Sequence, residues 1–278
     1  MESIALVNCC FPPKHIEQLG PPQGSLALAT FIKNEIGTEA KIYDAALEIA
    51  PKNMTPEGLF KYLSNIPENI IGISIWDSVL PKIILATKYF KTIHPEKLLI
   101  LGGPTASTIG KKIIEKYPWI DFVVMGEGEQ SIVDFISWIN NKSIDTKGLP
   151  VNILGRSKGK IIHGEKNQNV LKSENIPVLN YSLIEVNRYS KFEISTSRGC
   201  PYNCSFCSVN SSWGKKVRFK KIDKIISEIK LLLDQKAINI IHILDDNLGT
   251  NKKHLMCICN FFSEYFTNLE NVLNLVEI

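Results

Sequence analysis

The sequence predicts an α/β protein: an N-terminal Rossmann-like parallel sheet, then the opening βα units of a second parallel structure. Two observations carry this. Short apolar runs alternate along the first half with longer stretches whose apolar residues recur every three or four positions, the pattern of buried strands joined by crossover helices. The same alternation resumes after residue 190, beyond a segment that breaks the rhythm. Size agrees, because 278 residues with 44% hydrophobic content exceed one typical domain and can bury a sizeable core.

The elements follow in order. Strands are expected at "IALV" (4–7), "KIYD" (41–44), "IIGISIW" (70–76), "LLILGG" (98–103) and "IDFVVMG" (120–126), each bounded by glycine, proline or polar residues. Helices are expected over 24–36, 55–65, 79–93, 107–117 and 129–141. Such βαβ units are right-handed, with helices on both faces of the sheet. Residues 144–190 read as a hairpin turning at Arg156-Ser157-Lys158-Gly159 and a connector containing prolines. "KFEISTS" (191–197) is a further strand, followed by helix 222–235, strand 239–244, helix 251–266 and a last strand in "NVLNLVEI". The expected domains are therefore 1–143, a hairpin and linker over 144–190, and 191–278, with the boundary near 185–191.

Composition narrows the partners. Thirty-two basic and 28 acidic residues are interspersed, for a net charge of +4, so no electrostatic footprint for nucleic acid or anionic membrane is present. The N-terminus lacks a basic n-region and no run approaches the apolar length of a membrane span, which predicts a cytoplasmic protein. In a reducing compartment, clustered cysteines point to metal or redox chemistry rather than a disulfide framework.

In open parallel sheets ligands bind outside the carboxyl ends of the strands. Here those ends are Ser74 and Trp76, then Gly102-Gly103-Pro104-Thr105, then Gly126-Glu127-Gly128. Glycines at βα turns are common for conformational reasons alone, and Trp76 could equally be core. The three ends together favour a ligand site. No G-x-G-x-x-G follows the first strand, and its long loop lacks a hydroxyl-rich phosphate turn, which weakens dinucleotide and flavin readings.

Three of the seven cysteines, Cys200, Cys204 and Cys207, lie in "STSRGCPYNCSFC" on the loop leaving strand 191–197. They could hold zinc or an iron–sulfur cluster. Structural zinc wants four protein ligands, and no histidine stands between His163 and His242 to complete the set. Three thiolates on a [4Fe–4S] cluster leave one iron open to a small molecule. Cys9 and Cys10, at the end of the first strand, and Cys257 and Cys259, in an apolar helical run, read as structural.

Cys200-x3-Cys204-x2-Cys207, with Phe206 before the last cysteine, resembles the radical S-adenosylmethionine (SAM) superfamily. With "LGGPTAS" and "DFVVMGEGEQSI" upstream, the whole chain resembles its subgroup with an N-terminal cobalamin (B12)-binding domain. The resemblance implies that the cysteines ligate a [4Fe–4S] cluster, that Phe206 lies against the SAM adenine, and that Asp245-Asp246-Asn247 meets the SAM ammonium. The other reading of that acidic turn is a cap for the helix near 251. Arg218 matches a basic position of the family, or else is a solvated charge before a helix. Ser74, Trp76, Gly102, Gly103, Thr105, Gly126, Glu127 and Gly128 are the implied cobalamin contacts. The Asp-x-His-x-x-Gly signature of many cobalamin proteins is absent, His15 having Lys14 before it.

The implied activity is reductive SAM cleavage, cobalamin-dependent, in a methyltransferase or another radical-based modifying enzyme. Its implied partners are a small-molecule or peptide substrate and an electron donor such as flavodoxin or ferredoxin. A radical SAM barrel has roughly six βα units, whereas only the 71 residues Ser208–Ile278 follow the last cysteine. The barrel is thus expected to be incomplete, to be finished by a second chain if at all. The alternative function is a non-catalytic corrinoid- or cluster-binding carrier or partner subunit.

Overall fold

A computed structural model describes residues 3–10, 19–49, 51–140, 148–157, 159–165, 171–189, 191–234 and 240–267. The expected last strand in 271–278, His15, and Lys158 of the hairpin turn lie outside the described residues.

The first unit runs β1 (Ile4–Cys9), α1 (Gln23–Ile36), β2 (Ala40–Asp44), α2 (Ala45–Glu48), α3 (Pro56–Ser64), β3 (Ile70–Ile75), α4 (Leu80–Ile93), β4 (Leu98–Gly102), α5 (Pro104–Lys116), β5 (Phe122–Val124) and α6 (Glu129–Asn140). A hairpin follows, β6 (Ile153–Ser157) and β7 (Lys160–His163). These strands form one seven-stranded sheet in the order β2-β1-β3-β4-β5-β6-β7. The first five are parallel; β6 and β7 add antiparallel.

Strand β1 is buried along its whole length because both faces of the sheet are covered. Ile4 and Leu6 share a core with Phe31 and Ile32 of α1 and Phe135 and Ile136 of α6. Ala5, Val7 and Cys9, on the alternate face, pack with Leu59 of α3, Phe90 of α4 and Ile113 of α5. Truncating Phe90 or Phe135, both fully buried, would cost about 3–5 kcal/mol. Local signals set the helix ends. Thr55 accepts from Gly58 N at 3.1 Å with Pro56 in the first turn of α3, and α1 stops at Gly37, whose φ of 64° suits glycine.

The hairpin expected in the linker instead extends this sheet. β6 pairs with β5, and Ile153 and Leu154 are buried there. A bare β5 edge would leave a ladder of backbone groups unpaired, which the hairpin satisfies.

The second unit contains β8 (Lys191–Ile194), β9 (Ser197–Arg198), α7 (Val209–Ser212), β10 (Arg218–Phe219), α8 (Ile222–Leu233), β11 (Ile240–Ile243) and α9 (Lys252–Thr267). β8 and β11 pair in parallel across the α8 crossover, as the opening of a β/α structure requires. Phe192, Ile194, Ile225, Ile229, Leu232 and Ile241 share a core with Leu26 and Ala27 of α1. Helix α1 therefore serves both units. The strand expected over 191–197 is broken: β8 ends at Ile194, and β9 pairs antiparallel with β10.

Candidate cofactor site

The strand order reverses direction between β1 and β3, so a crevice opens outside their carboxyl ends. Three turns there are fastened to one another. Gly103 has φ 94°, and a Cβ on it would lie 2.9 Å from Ser74 Oγ and 3.2 Å from Ile75 N. Glycine is required both by the dihedral and by this approach to β3. Ser107 Oγ donates to Gly103 O (3.0 Å) and accepts from Gly126 N (2.9 Å), tying the β4–α5 turn to the β5–α6 turn. Ser74, Gly102, Gly103, Thr105, Gly126 and Gly128 are half-buried. Trp76 is 46% exposed, which excludes the plain-core reading. These turns thus lie together at the carboxyl edge of the sheet, and the exposed Trp76 follows β3 at the same edge.

The cysteine loop is built differently. Its sulfurs are free, with Cys200 half-buried and Cys204 and Cys207 exposed. Its amino-terminal end is pinned: Gly199 has φ 94°, with Lys216 O only 2.6 Å from where a Cβ would sit, and Cys200 N donates to Gly214 O at 3.4 Å. Its middle is exposed, with Phe206 at 91%. Among the described residues no three Cys, His, Asp or Glu side chains are gathered as a metal-binding group. The donor chemistry nonetheless suits iron and sulfide: three soft thiols on one accessible loop. The other cysteines differ. The Cys9 thiol is buried and pushed well up by desolvation, then by Cys10 and Asp44, and is inert as a ligand. Burial raises Cys10 as well, while Cys257 and Cys259 lie on α9, away from the loop in sequence and partly or fully exposed.

The acidic turn after β11 splits into separate roles. Asp245 accepts from Thr196 N (2.6 Å), Thr196 Oγ1 (2.6 Å), Ser197 N (3.2 Å) and Ser197 Oγ (2.5 Å). By drawing those two amides to itself it breaks the strand between β8 and β9 and turns the chain toward the cysteines. His254 Nε2 lies 3.1 Å from Thr196 Oγ1 and its ring packs on Phe219. Asp246 is exposed and takes the Gly199 N–H; desolvation raises its pKa, the Gly199 bond opposes this and Asp245 adds to it. Neither aspartate caps α9. Asn251 does, accepting from His254 N at 3.1 Å, and Asn247 is half-buried before a short 3-10 turn.

Glu127 faces the second unit. Its carboxylate accepts from Arg218 Nη2 and, at 2.8 Å, from Leu171 N. Arg198 reaches Glu129 at 2.7 Å and lies 3.8 Å from Glu127, with its guanidinium 4.8 Å from the Trp213 ring centroid. Burial opposes the Arg198 charge, but Glu129 and Glu127 hold its pKa above the ordinary value. Arg218 is buried, donating also to Leu171 O (2.8 Å) and Trp213 O (3.1 Å), so it is not a solvated charge. Sequence reasoning missed Ser107, Arg198, Glu129 and His254. The visible signal was the pair of acids flanking Gly128 and the arginine directly before Gly199-Cys200.

An α/β sheet whose carboxyl-edge turns face a CxxxCxxC loop at the start of a second β/α unit is the architecture of cobalamin-binding radical SAM proteins. No protein-family model matches the chain. It is 28% identical over 239 residues to an uncharacterized methyltransferase of Pyrococcus horikoshii, covering 84% of this chain and 50% of that protein. It is 21% identical over 248 residues to an anaerobic magnesium-protoporphyrin IX monomethyl ester cyclase of Rubrivivax gelatinosus, covering 86% and 44%. Among solved structures, the radical SAM methyltransferase TsrM from Kitasatospora setae, with cobalamin and a [4Fe–4S] cluster bound, superposes with TM-score 0.73 at 16% identity, covering 97% and 52%. The cobalamin-dependent radical SAM enzyme OxsB, with aqua-cobalamin and SAM bound, gives 0.75 at 17%, covering 99% and 38%. Over nearly its whole length the chain shares the fold of these cobalamin-dependent radical SAM enzymes. It spans about half or less of the length of these relatives. Among the described residues no helix is long and apolar enough to cross a membrane.

Proposed function

We propose that this chain carries the cofactor-binding core of a cobalamin-dependent radical SAM enzyme of the methyltransferase type, acting on a small molecule in the cytoplasm. One observation carries the reading: a three-cysteine loop and a glycine-turn sheet edge, each suited to one of the two cofactors, are joined through buried ion pairs. Cys200, Cys204 and Cys207 would hold a [4Fe–4S] cluster, and Phe206 would cover the SAM adenine. Asp246 would meet the SAM ammonium, because its carboxylate is exposed beside Gly199 while Asp245 is saturated by four donors. Ser74, Trp76, Gly102, Gly103, Thr105, Gly126 and Gly128 would receive the corrinoid, with Glu127 supporting their turn from behind. When bound, the cluster supplies the electron for SAM cleavage and the corrinoid the methyl group; the protein's part is orientation and exclusion of competing reactions.

The working division is 1–143 for the corrinoid unit, 144–190 for the connection and 191–278 for the opening of the SAM unit. Reduction would come from a flavodoxin or ferredoxin, and barrel elements beyond those described would come from further chain or a partner.

The test is low-temperature EPR of anaerobically reconstituted, dithionite-reduced protein, with and without SAM. A [4Fe–4S]⁺ signal that shifts on SAM addition and vanishes in Cys200→Ala/Cys204→Ala/Cys207→Ala is the expected result. A corrinoid spectrum with a cluster indifferent to SAM would replace this reading with a carrier role.

A further inference from the structure

The buried charges between the two halves of the site form a connected unit with two donors left unpaired in it. β9 and β10 place Arg198 opposite Arg218, so two guanidinium groups lie side by side on one short ladder. Like charges in that position repel. They are held by Glu127 and Glu129, which flank Gly128 on the β5–α6 turn. All four side chains are buried, each sign balancing the other. Yet Arg198 Nη1 and Arg218 Nε are buried with no hydrogen-bond partner. Arg198 Nη2 pairs with Glu129 at 2.7 Å, but its Nη1 lies 3.8 Å from Glu127 Oε2, too far for a hydrogen bond. Glu127 spends that oxygen on Leu171 N instead. A small displacement of the β5–α6 turn would exchange Leu171 N for Arg198 Nη1, and Arg198 is directly followed by Gly199 and Cys200.

Resting on the proposed function, we infer that Glu127 is a positioning residue that couples the two cofactor sites. It sets the cysteine loop according to the state of the Gly126–Gly128 turn, by passing Oε2 between Leu171 N and Arg198 Nη1 while Oε1 stays on Arg218. Coupling of this kind is reciprocal. A corrinoid seated on the turn then changes SAM affinity at the cysteine loop, and SAM changes corrinoid affinity by the same factor.

The experiment uses the reconstituted full chain and titrates SAM by the EPR shift, with and without hydroxocobalamin, and hydroxocobalamin by its visible spectrum, with and without SAM. In the wild type each midpoint is expected to move about fivefold or more, equally in both directions. In Glu127→Gln both cofactors still bind but the midpoints no longer move. Because Glu127→Gln leaves arginine charge uncompensated, Glu127→Gln/Arg218→Met removes one charge of each sign, and it too is expected to bind without coupling. Hydrogen exchange of the cofactor-free variants should rise in 199–214 and stay unchanged in β1 and β3. Retained coupling in the double variant, or unchanged exchange in 199–214, overturns the inference. A wild type that binds neither SAM nor corrinoid overturns the proposed function itself, a distinguishable result.

Discussion

At Gly103 an added methyl would meet the Ser74 hydroxyl at 2.9 Å; at Gly199 it would meet the Lys216 carbonyl at 2.6 Å. Both glycines have φ 94°, and both stand where a strand hands over to a loop. Beyond them the two loops diverge. The sheet-edge turns are bonded to one another through Ser107 and to β3 by direct contact, so their surface exists before any ligand arrives. The cysteine loop is fastened near Gly199 and at the network around Arg198, while Tyr202, Cys204, Phe206 and Cys207 stand exposed. A preformed surface lowers the ordering cost of binding a large rigid ligand. An open loop with pinned flanks can wrap around a ligand that contributes its own bonds. The molecule thus divides rigidity between its halves according to what each half would hold.

The largest effect should come from the residue that fastens the open half. Asp245→Ala leaves the Thr196 and Ser197 amides and both hydroxyls without their acceptor. With each stranded buried donor costing about 1–3 kcal/mol, a loss of roughly 4 kcal/mol is expected. Urea unfolding measures it, and a loss under about 1 kcal/mol would show that solvent replaces the carboxylate.

The two glycines then test the comparison directly. Gly103→Ala places a side chain at φ 94°, ψ −172°, a region essentially confined to glycine, at about 1–3 kcal/mol, and its nearest obstacle is a hydroxyl that can rotate. Gly199→Ala likewise falls at a positive φ and meets a fixed backbone carbonyl, so about 3 kcal/mol or more is expected. Gly103→Ala should spare iron incorporation, whereas Gly199→Ala should reduce it. Equal iron content in the two variants would mean that the flank of the cysteine loop is not held as tightly as its geometry implies.

A smaller effect belongs to His254. Burial lowers its pKa from the ordinary 6.5, with Asp245 opposing the shift. The unfolded chain therefore takes up a proton at a pH where the folded one does not. The stability from this neutral imidazole is complete above about pH 6.5 and is lost as pH falls from there toward the folded value. His254→Gln should flatten the part of the stability profile just below about pH 6.5, leaving the slope due to carboxylates. An unchanged slope would assign the acid sensitivity elsewhere.

The strands of the first sheet were legible because coverage on both faces makes them continuous apolar runs, and the helices because one face alone is buried. Observed ends differ from expected ones by one to three residues: α5 begins at Pro104, in place of 107, since Gly103 rather than a hydroxyl residue sits at its N-cap. The place of the hairpin was not legible, because β6 pairs with a strand nearly thirty residues earlier and nothing local names that partner. The cysteine motif was plain from spacing. The division between Asp245 and Asp246 was not, since adjacent carboxylates look alike until Thr196 and Ser197 are brought to one of them. Arg218 read as equally consistent with solvent for the same reason: its partner, Glu127, is 91 positions away.

The smallest effect on stability should come from Phe206, and that makes it the sharpest test of the division of rigidity. At 91% exposure the ring buries almost nothing against the rest of the fold. Phe206→Ala should therefore change unfolding free energy by less than about 0.5 kcal/mol. If the open loop completes its structure around SAM, the same substitution should weaken SAM binding by about 1–2 kcal/mol, the contact energy of a ring stacked on a purine. SAM titration of the EPR signal reads the second quantity, and urea unfolding reads the first. A loss of stability without a loss of SAM affinity would place Phe206 in the fold and deny the loop its open character. A loss of affinity alone would show that an exposed aromatic is held for a ligand, as the contrast with the locked turns around Gly103 requires.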